Sequence, residues 1–523
     1  MRKILKEVGS NATSSIVVFF VALPLCLGIA QASNPNNAIS IIPIFSGIIA
    51  GIIGGVVVGL FSGSALSVSG PAAGLTATVS AAIVVLGNDT NAYPLFLLSV
   101  VLAGVIQILL GFLKAGFIGD YLPNSVIKGM LAAIGILLIL KQFPHLIGED
   151  TNPEGDESFF QIDKKNTFTA ILSAIGNSTP HIIIIGTTCL GLQIFLESKW
   201  AKKIKALKTI PAALLVVIVG VVIKKILESN NVAVETQHLV TLPASKEAFW
   251  QSFTFPNFNG LTNHKVYVQA FTIAIIASLE TLLGIEAIDN IDPKKRITPT
   301  NQELKAQGAG NIVSGLLGGL PITSVIVRSS ANVYAGATTK MSAILHGILL
   351  FLMVLFFPNI LNQIPLAALA AILIFTGYKL AKIAVFKEFY KKGLDQFIPF
   401  VVTIIAILLT DLLKGIAAGL LVGFFSILKS NFTSCVFVIN DKENYLLRFR
   451  KDVSFLNKPS VKKHLNNIPK NAYIIIDATK ADFIDKDIID EVNSFIKIAP
   501  SKNIIVEVKK SLHKPMHLLF TEV

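Results

Sequence analysis

Two stretches decide the reading of this chain: FSGSALSVSGPAAGLTATV at residues 61–79 and LGGLPITSVIVRSSANVYAGA at residues 317–337. Each opens with Gly and Ser, passes through a short β-like run (Leu66–Ser69; Ile322–Val327) and continues into helix-compatible residues. Neither supplies an uninterrupted helix of the ~20 apolar residues that cross a bilayer. Non-helical backbone at membrane depth survives only where protein buries it or where it lines a cavity. A helix that begins there leaves its first N–H groups unsatisfied and its positive dipole end facing the gap. Two such ends approaching from opposite sides make an anion site without any full charge. For either stretch alone, the plainer reading is that Gly, Ser and Ala let helices pack closely. Their equal place in two halves of the chain favours a site.

The rest of the chain supplies the membrane context. Of 523 residues, 53% are hydrophobic and 15% charged, with a mean hydropathy of +0.68. Soluble domains carry about a quarter of their residues as Asp, Glu, Lys and Arg. The apolar residues also come in blocks, such as 208–223 and 399–413, long enough to span with little interruption. A soluble enzyme, a disordered tail protein and a disulfide-rich secreted domain are excluded. The three cysteines, Cys26, Cys189 and Cys435, have no metal-site spacing. Fourteen segments are predicted: about 15–32, 39–60, 66–86, 93–113, 123–146, 179–196 and 208–227, then about 266–287, 307–320, 322–338, 341–358, 363–380, 394–411 and 413–430. A short interfacial helix is expected at 167–177, and the basic N-terminus leads into a retained first helix.

The formal charge of +13 is distributed as an orientation signal, not as a nucleic-acid footprint. Lys199, Lys202, Lys203, Lys205 and Lys208, then Lys294, Lys295, Arg296 and Lys305, then Lys379, Lys382, Lys387, Lys391 and Lys392 fall on the side of the N-terminus. The opposite side receives the uncharged 33–38 and the acidic Glu149, Asp150, Glu154, Asp156, Glu157 and Asp163. By the positive-inside rule both termini are cytoplasmic, in the cell (inner) membrane. Seven segments followed by seven give an inverted-topology repeat, about 12–228 and 262–433, within a membrane domain of residues 1–433. From residue 434 to 523, alternating apolar residues read as strand, helix-prone connector, strand, helix, strand: a small α/β domain on the cytoplasmic side.

Ionisable residues inside a span are functional candidates, because uncompensated burial costs at least ~2.5 kcal/mol. Glu280 stands in FTIAIIASLETLLGI (271–285), where a carboxylate can coordinate Na⁺ or exchange a proton. Its plainer reading is a neutral, hydrogen-bonded structural Glu. Arg328 stands where the second broken helix begins and can chelate an oxyanion. Its plainer reading is a salt bridge to Glu280. Glu286 and Asp289 read as partners of the basic loop, and Lys114, Lys128 and Lys141 as snorkelling residues. His145, His181 and His346 read as isolated. No nucleophile–base pair, phosphate loop or metal cluster is visible, and no enzyme activity is expected.

SVSGPAAGLT (67–76), ASLETLLGIEAIDNIDP (277–293), the run from Ala306 to Ile344 and ALPLCLGIAQAS (22–33) resemble the sulfate permease (SulP) family of inorganic anion transporters. The resemblance implies an α-helical polytopic fold of fourteen segments in core and gate domains, followed by a STAS-like domain. It implies a substrate site at Leu25 and Ile29 of the first segment, Pro71, Ala72 and Ala73 of the third, and Thr323, Ser324, Arg328 and Ser329 of the tenth. Glu280 and Gly284 of the eighth would serve the coupling ion. Na⁺-coupled bicarbonate members have a hydroxyl where this chain has Gly284, which departs from their Na⁺ site. In the tail, IDKDI (484–488) replaces the family's phosphorylation signature. The expected function is cation-coupled symport of bicarbonate or sulfate by an elevator movement, in a homodimer, with Na⁺ or H⁺ as coupling ion and no cofactor. The rivals are a nucleobase permease of related fold and a channel or sensor signalling through its tail.

Overall fold

The computed structural model describes the chain except for residues 1, 36–40, 154–158, 161–164, 205–209, 244–245, 434–435, 451, 512 and 522–523. Part of the 33–38 loop, Glu154, Asp156, Glu157, Asp163, Lys205, Lys208 and Cys435 therefore lie outside the described residues. The chain divides into two compact units, residues 1–393 with 397–420, and residues 394–396 with 421–523.

Every predicted apolar segment coincides with a helix or a strand–helix unit. The first half contains α1 (Arg2–Ala32), α2 (Phe45–Phe61), β1 (Ser69–Pro71), α3 (Thr76–Leu86), α4 (Ala92–Phe112), α5 (Asn124–Leu146), the short α6 (Thr167–Gly176), α7 (Pro180–Glu197) and α8 (Ala212–Ser229). The second half contains α9 (His264–Ile291), α10 (Thr300–Leu317), β2 (Ile322–Ser324), α11 (Ile326–Tyr334), α12 (Met341–Phe356), α13 (Leu366–Leu380), the amphipathic α14 (Ile383–Lys391), α15 (Leu394–Leu409) and α16 (Leu412–Thr433). Among the described residues, six helices are by themselves long and apolar enough to cross a membrane. The order helix, helix, strand, helix recurs in both halves.

Both strands are shorter than expected or displaced. The first begins at Ser69 rather than Leu66, and the second stops at Ser324 because Ile326 already starts a helix. Their extent is set by each other, since only three residue pairs face across the two halves. A π-helical turn, Gly54–Val58, carries α2 past β1. Gly54 permits this crossing, because a Cβ there would stand 2.3 Å from the Ser69 carbonyl oxygen.

The second unit holds a four-stranded sheet in the order β3 (Val436–Asp441), β4 (Asn444–Phe449), β5 (Tyr473–Asp477), β6 (Ile505–Lys509). The first pair is antiparallel and the others parallel. The parallel pairs require crossovers, which run through α17 (Lys458–Asn466) and α18 (Lys486–Ile498). Ile488, Ile489, Val492, Phe495 and Ile496 form the buried stripe of α18 at helical spacing. This is the mixed build of a STAS-like domain. Asp485, within IDKDI, caps α18 by accepting from the Asp487 amide at 3.1 Å.

Candidate functional site

β1 and β2 pair antiparallel, Ser69 with Ser324, Gly70 with Thr323 and Pro71 with Ile322. Each runs within two or three residues into a helix, through a 3₁₀ turn at Ala73–Leu75 or directly at Ile326. Antiparallel strands send the two helices away in opposite directions, so their N-terminal ends flank the strand pair from opposite sides. Side chains stitch the crossing. Ser67 and Ser324 hydroxyls lie 2.5 Å apart, the Val68 amide donates to Ser329 Oγ at 2.8 Å, and Asn332 Nδ2 donates to the Leu66 carbonyl at 2.9 Å. Asn311 of α10 brackets β2, accepting from the Ile322 amide at 2.6 Å and donating to its carbonyl at 3.0 Å.

A cavity of about 30 Å³ lies at this crossing. Leu25, Ile29, Ala72, Ala73, Glu280, Thr323 and Ser324, all expected at the site, line it. Gly74, Ile134, Leu412 and the first residues of α11 complete the wall, and nothing in their apolar side chains marked them in the sequence. The Glu280 carboxylate reaches β1's helix end: a Cβ on Gly74 would stand 2.3 Å from Oε1. The Thr323 hydroxyl is buried and makes no hydrogen bond within the protein. Apolar walls with a few convergent polar groups are the usual build of a small-ligand site.

Four expected residues do not line the cavity. Pro71 is engaged in the strand pair with Ile322. Ser329 is spent on backbone, accepting from Val68 and donating to the Val325 carbonyl at 2.7 Å. Gly284 lies behind the wall, where a Cβ would meet the Ser324 carbonyl oxygen at 2.5 Å. Arg328 is fully buried, and its guanidinium meets no oxygen acceptor, only the Cys26 thiol beside it. It therefore forms no hydrogen-bonded pair with Glu280. One residue along a helix is a rotation of about 100°, which carries Arg328 away from the cavity face held by Ile326 and Val327. Its guanidinium packs on Gly70, beside Cys26 and His346.

Three further features escaped the sequence reading. Asp150, after α5, bridges His145 Nδ1 at 2.6 Å and His238 Nδ1 at 2.5 Å, with all three side chains buried. Burial pushes the Asp150 carboxyl up, but the hydrogen bonds from His145 and His238 outweigh it and hold it below the usual value. His145 is thus not isolated. A larger cavity of about 220 Å³ lies further along α1, between Val17, Tyr334 and Lys379, with Lys379 Nζ paired to Glu197 at 3.1 Å. The third feature is Glu303, a fully buried carboxyl of α10. Among the described residues no three His, Cys, Asp or Glu side chains converge as metal ligands.

Comparison with known proteins agrees with this architecture. Residues 9–405 match the model of the Sulfate permease family. YvdB of Bacillus subtilis (strain 168), to which sulfate transport is ascribed, is 27% identical over 86% of this chain and 79% of its own length. The bicarbonate transporter BicA of Synechocystis is 24% identical over 69% of this chain and 60% of that protein. The solved transmembrane domain of a cyanobacterial BicA superposes with a TM-score of 0.53 at 23% identity, covering 79% of this chain and 96% of that one. The overall structure of SLC26A9 superposes with a TM-score of 0.65 at 16% identity, covering 97% and 84%. The chain is an integral membrane protein and belongs to the sulfate permease family.

Proposed function

We propose that this protein is a secondary active transporter of a small inorganic oxyanion, bicarbonate or sulfate, coupled to a cation and working by an elevator movement. The observation that carries the reading is the antiparallel strand pair, which sets two helix N-terminal ends and the Glu280 carboxylate around one cavity. The helix ends supply partial positive charge and free N–H donors for the anion. Thr323 adds an unspent hydroxyl. Arg328 contributes its charge from behind Gly70 rather than by chelation, raising the potential at the cavity with little loss to screening by water. Glu280 opposes anion entry when ionised, so a cation that neutralises it and the anion favour each other's binding. That mutual preference is the physical basis of symport.

The names of relatives, sulfate for YvdB and bicarbonate for BicA, support the substrate class. A cavity with room for one or two waters suits an inorganic ion better than a nucleobase ring. The coupling cation is Na⁺ or H⁺. Gly284 offers no oxygen, and the Ser324 carbonyl leaves no space for one, which favours H⁺. The membrane domain, residues 1–433, is assigned to core and gate parts of an inverted repeat, with residues 434–523 as the STAS-like domain. Both termini face the cytoplasm of the cell (inner) membrane, the 220 Å³ cavity is the cytoplasmic vestibule, and the assembly is a homodimer. Uptake of radiolabelled bicarbonate, sulfate and uracil into proteoliposomes tests the reading. Saturable uptake of one of the two anions supports it. Uptake of uracil alone, or anion flux far above carrier turnover, contradicts it.

A further inference from the structure

We propose that Glu303 is a second proton-binding site, facing the cytoplasm, whose charge state is passed to the anion cavity through Gln307 and Ser69. The inference rests on the transporter reading above and deepens its coupling. Glu303 is fully buried in the first turns of α10. Its Oε2 accepts from Ser62 Oγ at 2.6 Å and the Gly63 amide at 3.2 Å, and its Oε1 accepts from Gln307 Nε2 at 3.1 Å. The Ser64 amide also bonds this carboxylate, and all four donors are neutral. A buried carboxylate held only by neutral donors keeps a large desolvation cost and is poised to take a proton.

Among the described residues, no Lys or Arg pairs with this carboxyl. Lys340 Nζ is held on the Leu60 and Ser62 carbonyls at 2.9 and 3.2 Å. Lys305 stands over the Phe112 ring, and Arg296 is engaged with Asp292 at 2.7 Å. Of the acids on α9, Glu280 lines the anion cavity, Glu286 accepts from Asn290, and Asp289 accepts from Thr298. Tyr93 of α4 donates to the Gly318 carbonyl at the far end of α10.

Access and readout are both built in. A cavity of about 280 Å³, lined by Gly63, Pro299, Asp289 and Arg296, lies at the basic α9–α10 loop and brings water to the residues next to Glu303. On the other side, Gln307 Nε2 also donates to Ser69 Oγ at 2.6 Å, and Ser69 faces Ser324 of the cavity wall across the strand pair. Gln307 Oε1 is buried and has no partner. When the Glu303 carboxylate takes a proton from cytoplasmic water, its new O–H needs an acceptor. Rotation of the Gln307 amide supplies Oε1, which accepts from both Glu303 and Ser69, and Ser69 changes from acceptor to donor. Deprotonation restores the present arrangement and returns a negative charge near the cavity, which favours release of the anion to the cytoplasm. Uptake therefore slows as the vesicle interior is acidified.

Two measurements on the reconstituted full chain decide this. In infrared spectra recorded against pH, the wild type shows a protonated-carboxyl band that Glu303→Gln lacks. In uptake assays with internal pH varied, the wild type shows a several-fold dependence, whereas Glu303→Gln, a permanently neutral side chain, and Gln307→Leu, which keeps the carboxyl but cuts the link, show none. An unchanged band in Glu303→Gln overturns the proton site, and an unchanged internal-pH profile in Gln307→Leu overturns its link to the cavity. Absence of anion uptake in the wild type overturns the transporter reading instead, and the infrared comparison still decides whether Glu303 titrates.

Discussion

Gly284→Ala probes the wall between α9 and the strand pair. A Cβ at this position would stand 2.5 Å from the Ser324 carbonyl oxygen, 3.0 Å from its Oγ and 3.3 Å from its Cβ. Ordinary contact begins near 3.4 Å, so the carbonyl must retreat by about 0.9 Å. Ser324 cannot retreat alone, because it is paired with Ser69 in register and held to Ser67 by its hydroxyl. Overpacking costs about 1–3 kcal/mol, here about 2–3 because Ser324 is held from two sides, and replacing a helical Gly by Ala returns about 1 kcal/mol. The net, about 1–2 kcal/mol, corresponds to roughly 5- to 30-fold in an equilibrium. The expected result is a rise of that size in the KM for the anion, measured as initial uptake in proteoliposomes with protein orientation and amount matched. Gly284→Thr, a larger side chain in the same space, is expected to do worse. Gly191→Ala is the control: it lies in α7 with nothing within 4 Å of its would-be Cβ, and it should leave uptake unchanged. Wild-type KM in Gly284→Ala would refute the close packing on which the site depends.

Arg328→Met replaces a buried charge that has no carboxylate partner by an apolar side chain of similar length. Melting temperature in detergent should rise, since the desolvation cost disappears, while anion affinity falls severalfold, as a positive charge acting on the cavity from behind Gly70 is lost; a lower melting temperature with unchanged affinity would assign Arg328 to structure. Asp150→Asn removes the negative charge and turns one of the two oxygens that face His145 and His238 into an N–H donor, and should cost about 1–3 kcal/mol of local stability, read as faster proteolysis or a lower melting temperature with transport kinetics retained. Because the Asp150 carboxyl is held below its usual value, its contribution is present at pH above the ordinary carboxylate pKa and is lost only as pH falls through the lowered one. The mutant should lack that acid-side loss, and an acid transition identical to wild type would contradict the bridge.

Much of this fold was legible because lipid punishes polar backbone. Long apolar blocks had to be helices, and the two blocks broken by Gly, Ser and Pro had to be something else. Glu280 was legible for the same reason, as a lone charge in an apolar run. The strand limits were not, because three-residue strands exist only through pairing with a partner in the other half of the chain. Glu303 was missed because TNQELKAQ (300–307) reads as a polar loop, and its burial arises where Ser62 and Gly63, just beyond α2, close over it. The bridge at Asp150 was missed because His238 lies far along the chain, beyond α8. The direction of Arg328 depends on the rotation of a nine-residue helix, which no local pattern fixes. β3 was overlooked because Val436–Asp441 ends in polar residues and its side chains are half-buried or exposed, leaving a weak alternation.

The central claim is that the cavity at the strand pair binds an anion and that Glu280 ties its binding to a cation. Radiolabelled bicarbonate and sulfate uptake, driven separately by Na⁺ and pH gradients in proteoliposomes of the wild type and Glu280→Gln, tests it most directly. The account predicts that one gradient drives accumulation of one of the anions in the wild type and that Glu280→Gln abolishes that accumulation. Gradient-driven uptake that survives unchanged in Glu280→Gln would contradict it.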